Sequence, residues 1–164
     1  MKHKKGGSTI FLKSVIILLG IPVLALGLFW LPEMASRDVA AHPESSYLSY
    51  LFLIYVYVLC IPYYAALYQA YRLLTNIDQH KAFSKSSVRA LRTIKNCALT
   101  ILLGLVLGIA TIMMMFTGKE DITGIIALTL ISIFVTSTIA TFAAVLHRLL
   151  QKAIDLQSEN QLTV

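Results

Sequence analysis

Four apolar runs, at about residues 9–31, 47–74, 94–116 and 122–150, constrain this chain of 164 residues more than anything else in it. A helix needs about 20 apolar residues to cross the hydrocarbon of a bilayer, so each run suffices and roughly 60 residues remain for connections. Only 13% of the residues are charged, about half the share of a soluble domain, which excludes a soluble fold and leaves no room for a separate catalytic domain. The expected architecture is all-α: an integral membrane four-helix bundle forming a single transmembrane domain over 1–164, with a loop at 75–93 and a tail at 151–164.

The first run follows Lys2, Lys4 and Lys5 and so imitates a signal peptide. It is longer than the 7–15 residues of a typical apolar signal core, and no small-x-small site falls squarely at its end, Met34-Ala35-Ser36 notwithstanding. An uncleaved span is expected, with Lys13 snorkelling towards the head groups. Ser45 or Ser46 is placed to cap the second helix, Thr75-Asn76 to end it, and Thr117-Gly118 to end the third. Only Thr117 to Asp121 separates the third run from the fourth, which makes those two helices antiparallel neighbours.

Orientation follows from the cations. With the N-terminus inside, twelve Lys and Arg fall on the cytoplasmic side and only Arg37 and Lys119 outside, so both termini are expected in the cytoplasm of a multi-pass cell-membrane protein. No Asp, Glu, His or Arg stands in the middle of a run, although pumps, ion-coupled carriers and membrane metalloproteases need such groups. His3, His42, His80 and His147 lack paired ligand spacing, and no nucleophile, base and stabiliser converge. An enzyme, a metal site and a cofactor are therefore not expected, and Cys60 and Cys97 are expected as free thiols.

All eight tyrosines lie between Tyr47 and Tyr71, and Tyr50, Tyr57, Tyr64 and Tyr71 recur every seven residues with Tyr68 on the same face. Buried hydroxyls need partners. One reading bonds them across helices to the hydroxyl-rich fourth run, which carries Thr129, Ser132, Thr136, Ser137, Thr138 and Thr141. Another makes Tyr57, Tyr64 and Tyr68 the lining of an aromatic pocket for an apolar or cationic ligand. Pro62 is expected to kink the helix that carries them. Gly104 and Gly108 form a GxxxG pair that lets two helices approach closely, within the bundle or across a homodimer. Met113-Met114-Met115 reads as apolar filling.

The connection between the second and third runs is the most distinctive polar segment. Ser84 is a good cap, Val88, Leu91 and Ile94 recur at three-residue spacing, and Lys81, Lys85, Arg89, Arg92 and Lys95 supply cations. The pattern predicts a basic amphipathic juxtamembrane helix running into the third span. Two readings stand: contact with the anionic lipid bilayer, at about 1 kcal/mol per basic residue, or docking of a cytoplasmic protein. A helix lying against lipid offers few cations to a duplex, so direct nucleic-acid binding is not expected. The tail is expected to prolong the fourth helix and then fray.

Lys81-Ala82-Phe83-Ser84, then Val88, Leu91, Ile94 and Cys97, and the closing Glu159-Asn160-Gln161-Leu162-Thr163-Val164, resemble the YoaS-like family of bacterial four-span membrane proteins of unknown function. The likeness extends to span number and loop order, with Gln161 where similar proteins often carry an acid and Ala82 where they often carry proline. No activity, cofactor or substrate comes with it. Members are frequently encoded beside a small Xre-type helix-turn-helix regulator, which the resemblance implies as a partner. The expected function is a non-enzymatic membrane regulatory or interaction protein that senses a membrane condition or ligand and binds that regulator. The alternative is a small oligomeric transporter, dimeric through Gly104 and Gly108.

Overall fold

A computed structural model describes residues 3–115 and 122–163, with side chains from residue 7 onward. The helices are α1 (His3–Ala25), α2 (Leu31–Ala41), α3 (Ser46–Asp78), α4 (Lys85–Met115) and α5 (Thr123–Leu162). Four helical stretches are long and apolar enough to cross a membrane: Gly7–Ala41, Pro43–Asp78, Lys85–Met115 and Thr123–Leu162. Thr117-Gly118 and the rest of the third connection lie outside the described residues.

Packing follows chain order. α5 lies on α4, α4 on α3, and α3 on α1 and α2, while neither α1 nor α3 packs along α5 among the described residues. The result is an open row of antiparallel helices with wide apolar faces. Phe11, Leu18, Phe134 and Phe142 are among the exposed side chains, as expected of surfaces whose solvent is lipid. Among the described residues the buried apolar side chains are few and mostly small: Ala90, Ala98, Ala140 and Ala143, with Leu91 as the larger exception. Small side chains let backbones approach, which is how helices associate where burial of apolar area brings no advantage over lipid.

The first span does not stop at residue 31. Its helix passes through a π turn, Leu26–Trp30, into α2, with Pro32 at the start of the new segment. The π turn accommodates the proline: the Leu31 N–H bonds the Leu26 carbonyl, and Pro32 brings no N–H of its own. On α2, Arg37 pairs with Glu33 at 2.5 Å on an exposed face. The buried Ser49 hydroxyl donates to Asp38, which ties α2 to the start of α3. The tail prolongs the fourth helix as expected. α5 continues to Leu162, supported by Gln151 donating to Asp155 at 3.1 Å and by Thr163 closing on the Glu159 carbonyl. Pro62 stands inside α3, which is helical throughout Ser46–Asp78.

Between α3 and α4 the chain turns in six residues. α3 runs past Thr75-Asn76 and ends in a Schellman arrangement, with the Lys81 N–H on the Asn76 carbonyl at 2.8 Å and the His80 N–H on the Ile77 carbonyl at 3.1 Å. The position that glycine usually takes is held by His80, at φ 57°. Four bonds then draw the turn onto Ser87, which is completely buried. Its hydroxyl donates to the Lys81 carbonyl at 3.2 Å, its backbone N–H donates to the capping Ser84 at 3.3 Å, the Ser84 hydroxyl lies 3.3 Å away, and the Asn76 amide reaches it at 3.5 Å. A β-branched residue suffers most in the left-handed region. His80→Val is expected to cost about 1–2 kcal/mol and His80→Gly to be tolerated, read from thermal unfolding of the detergent-solubilised protein.

Candidate functional site

Three groups of side chains carry the chemistry available to this fold: the tyrosines of α3, the ion pair between α1 and α3, and the cations near the hairpin. The tyrosines do not reach α5. Tyr57 donates to the Gly27 carbonyl at 2.7 Å, Tyr63 to Leu19 at 2.9 Å and Tyr64 to Gly20 at 2.8 Å, all on α1 or its π turn, while Tyr55 donates to Gly104 on α4 at 2.5 Å. The expected partners turn inward on their own helix instead: Thr136 bonds the Ser132 carbonyl at 2.7 Å, and Thr129, Ser132, Thr138 and Thr141 do the same. The reason is topological, because α3 packs between α1 and α4, while α5 packs on α4. Helix carbonyls have a second lone pair to offer, and the threonine hydroxyls are already satisfied by the carbonyl four residues back.

The Tyr57 bond has a particular cause. With the Leu31 N–H spent on Leu26, and with Pro32 in the next place, the Gly27 carbonyl has no backbone donor, and the phenol supplies one. Tyr57 and Tyr64 thus act as fasteners between helices. Tyr68, the third ring of the alternative aromatic-pocket reading, is 64% exposed. Gly104 and Gly108 face α3, where a methyl on Gly104 would collide with Leu59 and one on Gly108 with Tyr55. A homodimer through these glycines would have to displace α3.

At the hairpin end, Lys13 of α1 meets the end of α3. Its ammonium pairs with Asp78 at 2.7 Å and lies 5.4 Å over the Tyr71 ring. Asp78 is the last residue of α3, four residues past the end of the second apolar run, and the Lys13 hydrogen bond, with a further one from Thr9, holds its carboxyl below the usual carboxylate range. The sign of the consequence is fixed. A depressed carboxylate stabilises the fold above the unfolded value of about 3.9 and loses that contribution as pH falls through the folded one. The melting difference between wild type and Asp78→Asn should therefore be constant from about pH 8 to 5 and shrink below about pH 4; a difference that instead closed near neutrality would refute the assignment. The pattern of apolar runs missed this pair because Asp78 and Lys13 are 65 residues apart.

The cations at the start of α4 are arranged by helix geometry. Lys85, Arg89 and Arg92 stand at i, i+4 and i+7 and are exposed, while Ser87, Ala90 and Leu91 on the other side are buried. α4 is one unbroken helix from Lys85, so these residues extend the span itself. Lys81 is exposed in the turn and Lys95 is half-buried further along, and Ser84 caps the helix. The ion pairs among the described residues are Lys13–Asp78 and Arg37–Glu33, so no described carboxylate neutralises any of these cations. Cys60 and Cys97 are free and half-buried.

Residues 33–164 match the family described as "Protein of unknown function (DUF2975)". The chain belongs to this family. It is 50% identical over 157 residues to "Uncharacterized membrane protein YoaS" of Bacillus subtilis (strain 168), covering 96% of this chain and 98% of that one. No solved structure matches. The family match begins within α2 and takes in α3, the hairpin, α4 and α5, so it includes both the tyrosine helix and the basic face.

Proposed function

We propose that this multi-pass membrane protein is a non-enzymatic regulatory or interaction protein whose hairpin end lies in the cytoplasm, with both termini, and binds a soluble regulator there. The observation that carries the reading is the exposed row Lys85, Arg89 and Arg92, continuous with a transmembrane helix and unpaired with any described carboxylate. A fixed basic row on a rigid helix is a docking surface for an acidic face of a partner, and electrostatic complementarity of this kind sets orientation and on-rate. The cation count supports the orientation. The partner implied by the family resemblance is a small Xre-type helix-turn-helix regulator, held at the membrane and released when the helices respond to a membrane condition or ligand.

The test is crosslinked co-purification of the tagged full chain from native membranes, beside a variant carrying Lys85→Glu, Arg89→Glu and Arg92→Glu. The expected result is a DNA-binding protein recovered with the wild type and lost with the charge-reversed chain. Recovery of nothing, or equal recovery with both, would sink the proposal.

A further inference from the structure

A second cationic feature begins one turn beyond the exposed row, at Lys95, and does not depend on the function proposed above. Between α4 and α5 runs an open groove of about 380 Å³, with Lys95 and Arg148 at its hairpin end and Leu99, Ala140, Thr141 and Ala144 along its walls. Ala140 is buried and Ala144 half-buried, so the floor is made of methyl groups where the helices come closest. The Thr141 hydroxyl is spent on the Ser137 carbonyl at 2.9 Å, which leaves Ser137, at the far end from the cations, as the remaining hydroxyl of this wall. No described carboxylate pairs with Lys95 or Arg148.

Position and length specify an occupant. Lys95 stands at the start of the third span and Arg148 near the end of the fourth, so both cations lie at one membrane interface. On α5 the groove extends from Arg148 back to Ser137, which at 1.5 Å per residue is about 16 Å, close to half of the roughly 30 Å hydrocarbon core. A cleft with two cations at the interface and an apolar channel one leaflet deep matches a phospholipid: phosphate at the top, acyl chain below. We infer that the α4–α5 groove is a binding site for an anionic phospholipid of the leaflet at the hairpin end, with Lys95 and Arg148 on the head group and an acyl chain against Ala140 and Ala144.

The experiment is native mass spectrometry of the detergent-solubilised full chain titrated with phosphatidylglycerol or with phosphatidylcholine of the same acyl chains. Phosphatidylglycerol should bind more tightly. Lys95→Gln and Arg148→Gln should each weaken it about fivefold, and the pair about thirtyfold, from about 1 kcal/mol per cation, with phosphatidylcholine unaffected. Arg72→Gln, an equal loss of charge at an exposed position of α3 outside the groove, should change nothing. Thr141→Phe, which fills the groove from an exposed position and keeps both cations, should weaken both lipids. The site would be overturned if Arg72→Gln weakened phosphatidylglycerol as much as Arg148→Gln did, since the effect would then be general surface charge. Unchanged binding in the double variant would overturn it equally, and far-ultraviolet circular dichroism of each variant separates lost binding from lost fold.

Discussion

Gly108→Leu is expected to loosen α3 from α4 at a cost of about 3 kcal/mol or more, the upper range for overpacking plus a lost hydrogen bond. A side chain at 108 would overlap the Tyr55 hydroxyl and come within 2.9 Å of its Cζ. The phenol has nowhere to go without leaving the Gly104 carbonyl, to which it donates at 2.5 Å. One substitution therefore removes a close helix contact and the bond that the contact makes room for. Gly20 provides the control, because a methyl there would meet Leu67 at 3.6 Å and Tyr64 at 3.7 Å, ordinary contact distances. Gly20→Ala should sit within about 0.5 kcal/mol of wild type, measured by the same reversible unfolding in detergent. A Gly108→Leu protein as stable as wild type would show that α3 and α4 do not pack through this face.

Tyr57→Phe should cost about 1.5 kcal/mol, near the top of the range measured for hydrogen bonds between membrane helices, and Tyr64→Phe only about 0.6 kcal/mol, near its average. The two phenols differ in what they leave behind. Without Tyr57 the Gly27 carbonyl has no donor, since the π turn and Pro32 have removed both backbone candidates. The Gly20 carbonyl lies inside regular helix, where the chain itself supplies a donor. The double variant should release α1 from α3, seen as faster amide exchange across the first span with α4 and α5 unchanged. Equal costs for the two single variants would mean that the Gly27 carbonyl finds another donor.

Much of the fold was legible along the chain, because crossing a bilayer imposes a length and a composition that single runs of sequence display. The Ser84 cap was visible for the same reason, being a local device. The end of α3 was misplaced at Thr75-Asn76 because the terminating residue is His80, which takes a glycine conformation without being glycine. The continuation of the first helix through Pro32 was hidden by the proline itself, which reads as a stop unless a π turn precedes it. Tyrosine periodicity correctly marked α3 as phenolic, yet periodicity names a face and not the helix opposite it.

The sequence by itself determined that this is a membrane protein of four spanning helices, with its cations gathered on one side, because hydrocarbon rejects charge and demands long apolar runs wherever they occur. Only the tertiary structure decided which helix lies beside which. α3 stands between α1 and α4, so its tyrosines fasten α1, its Tyr55 meets the GxxxG face, and α5 is left with a groove on α4 ending in Lys95 and Arg148. In lipid, every apolar face is equally content with its solvent. Neighbours are chosen by small residues and stray carbonyls, whose positions become meaningful only when the helices are side by side.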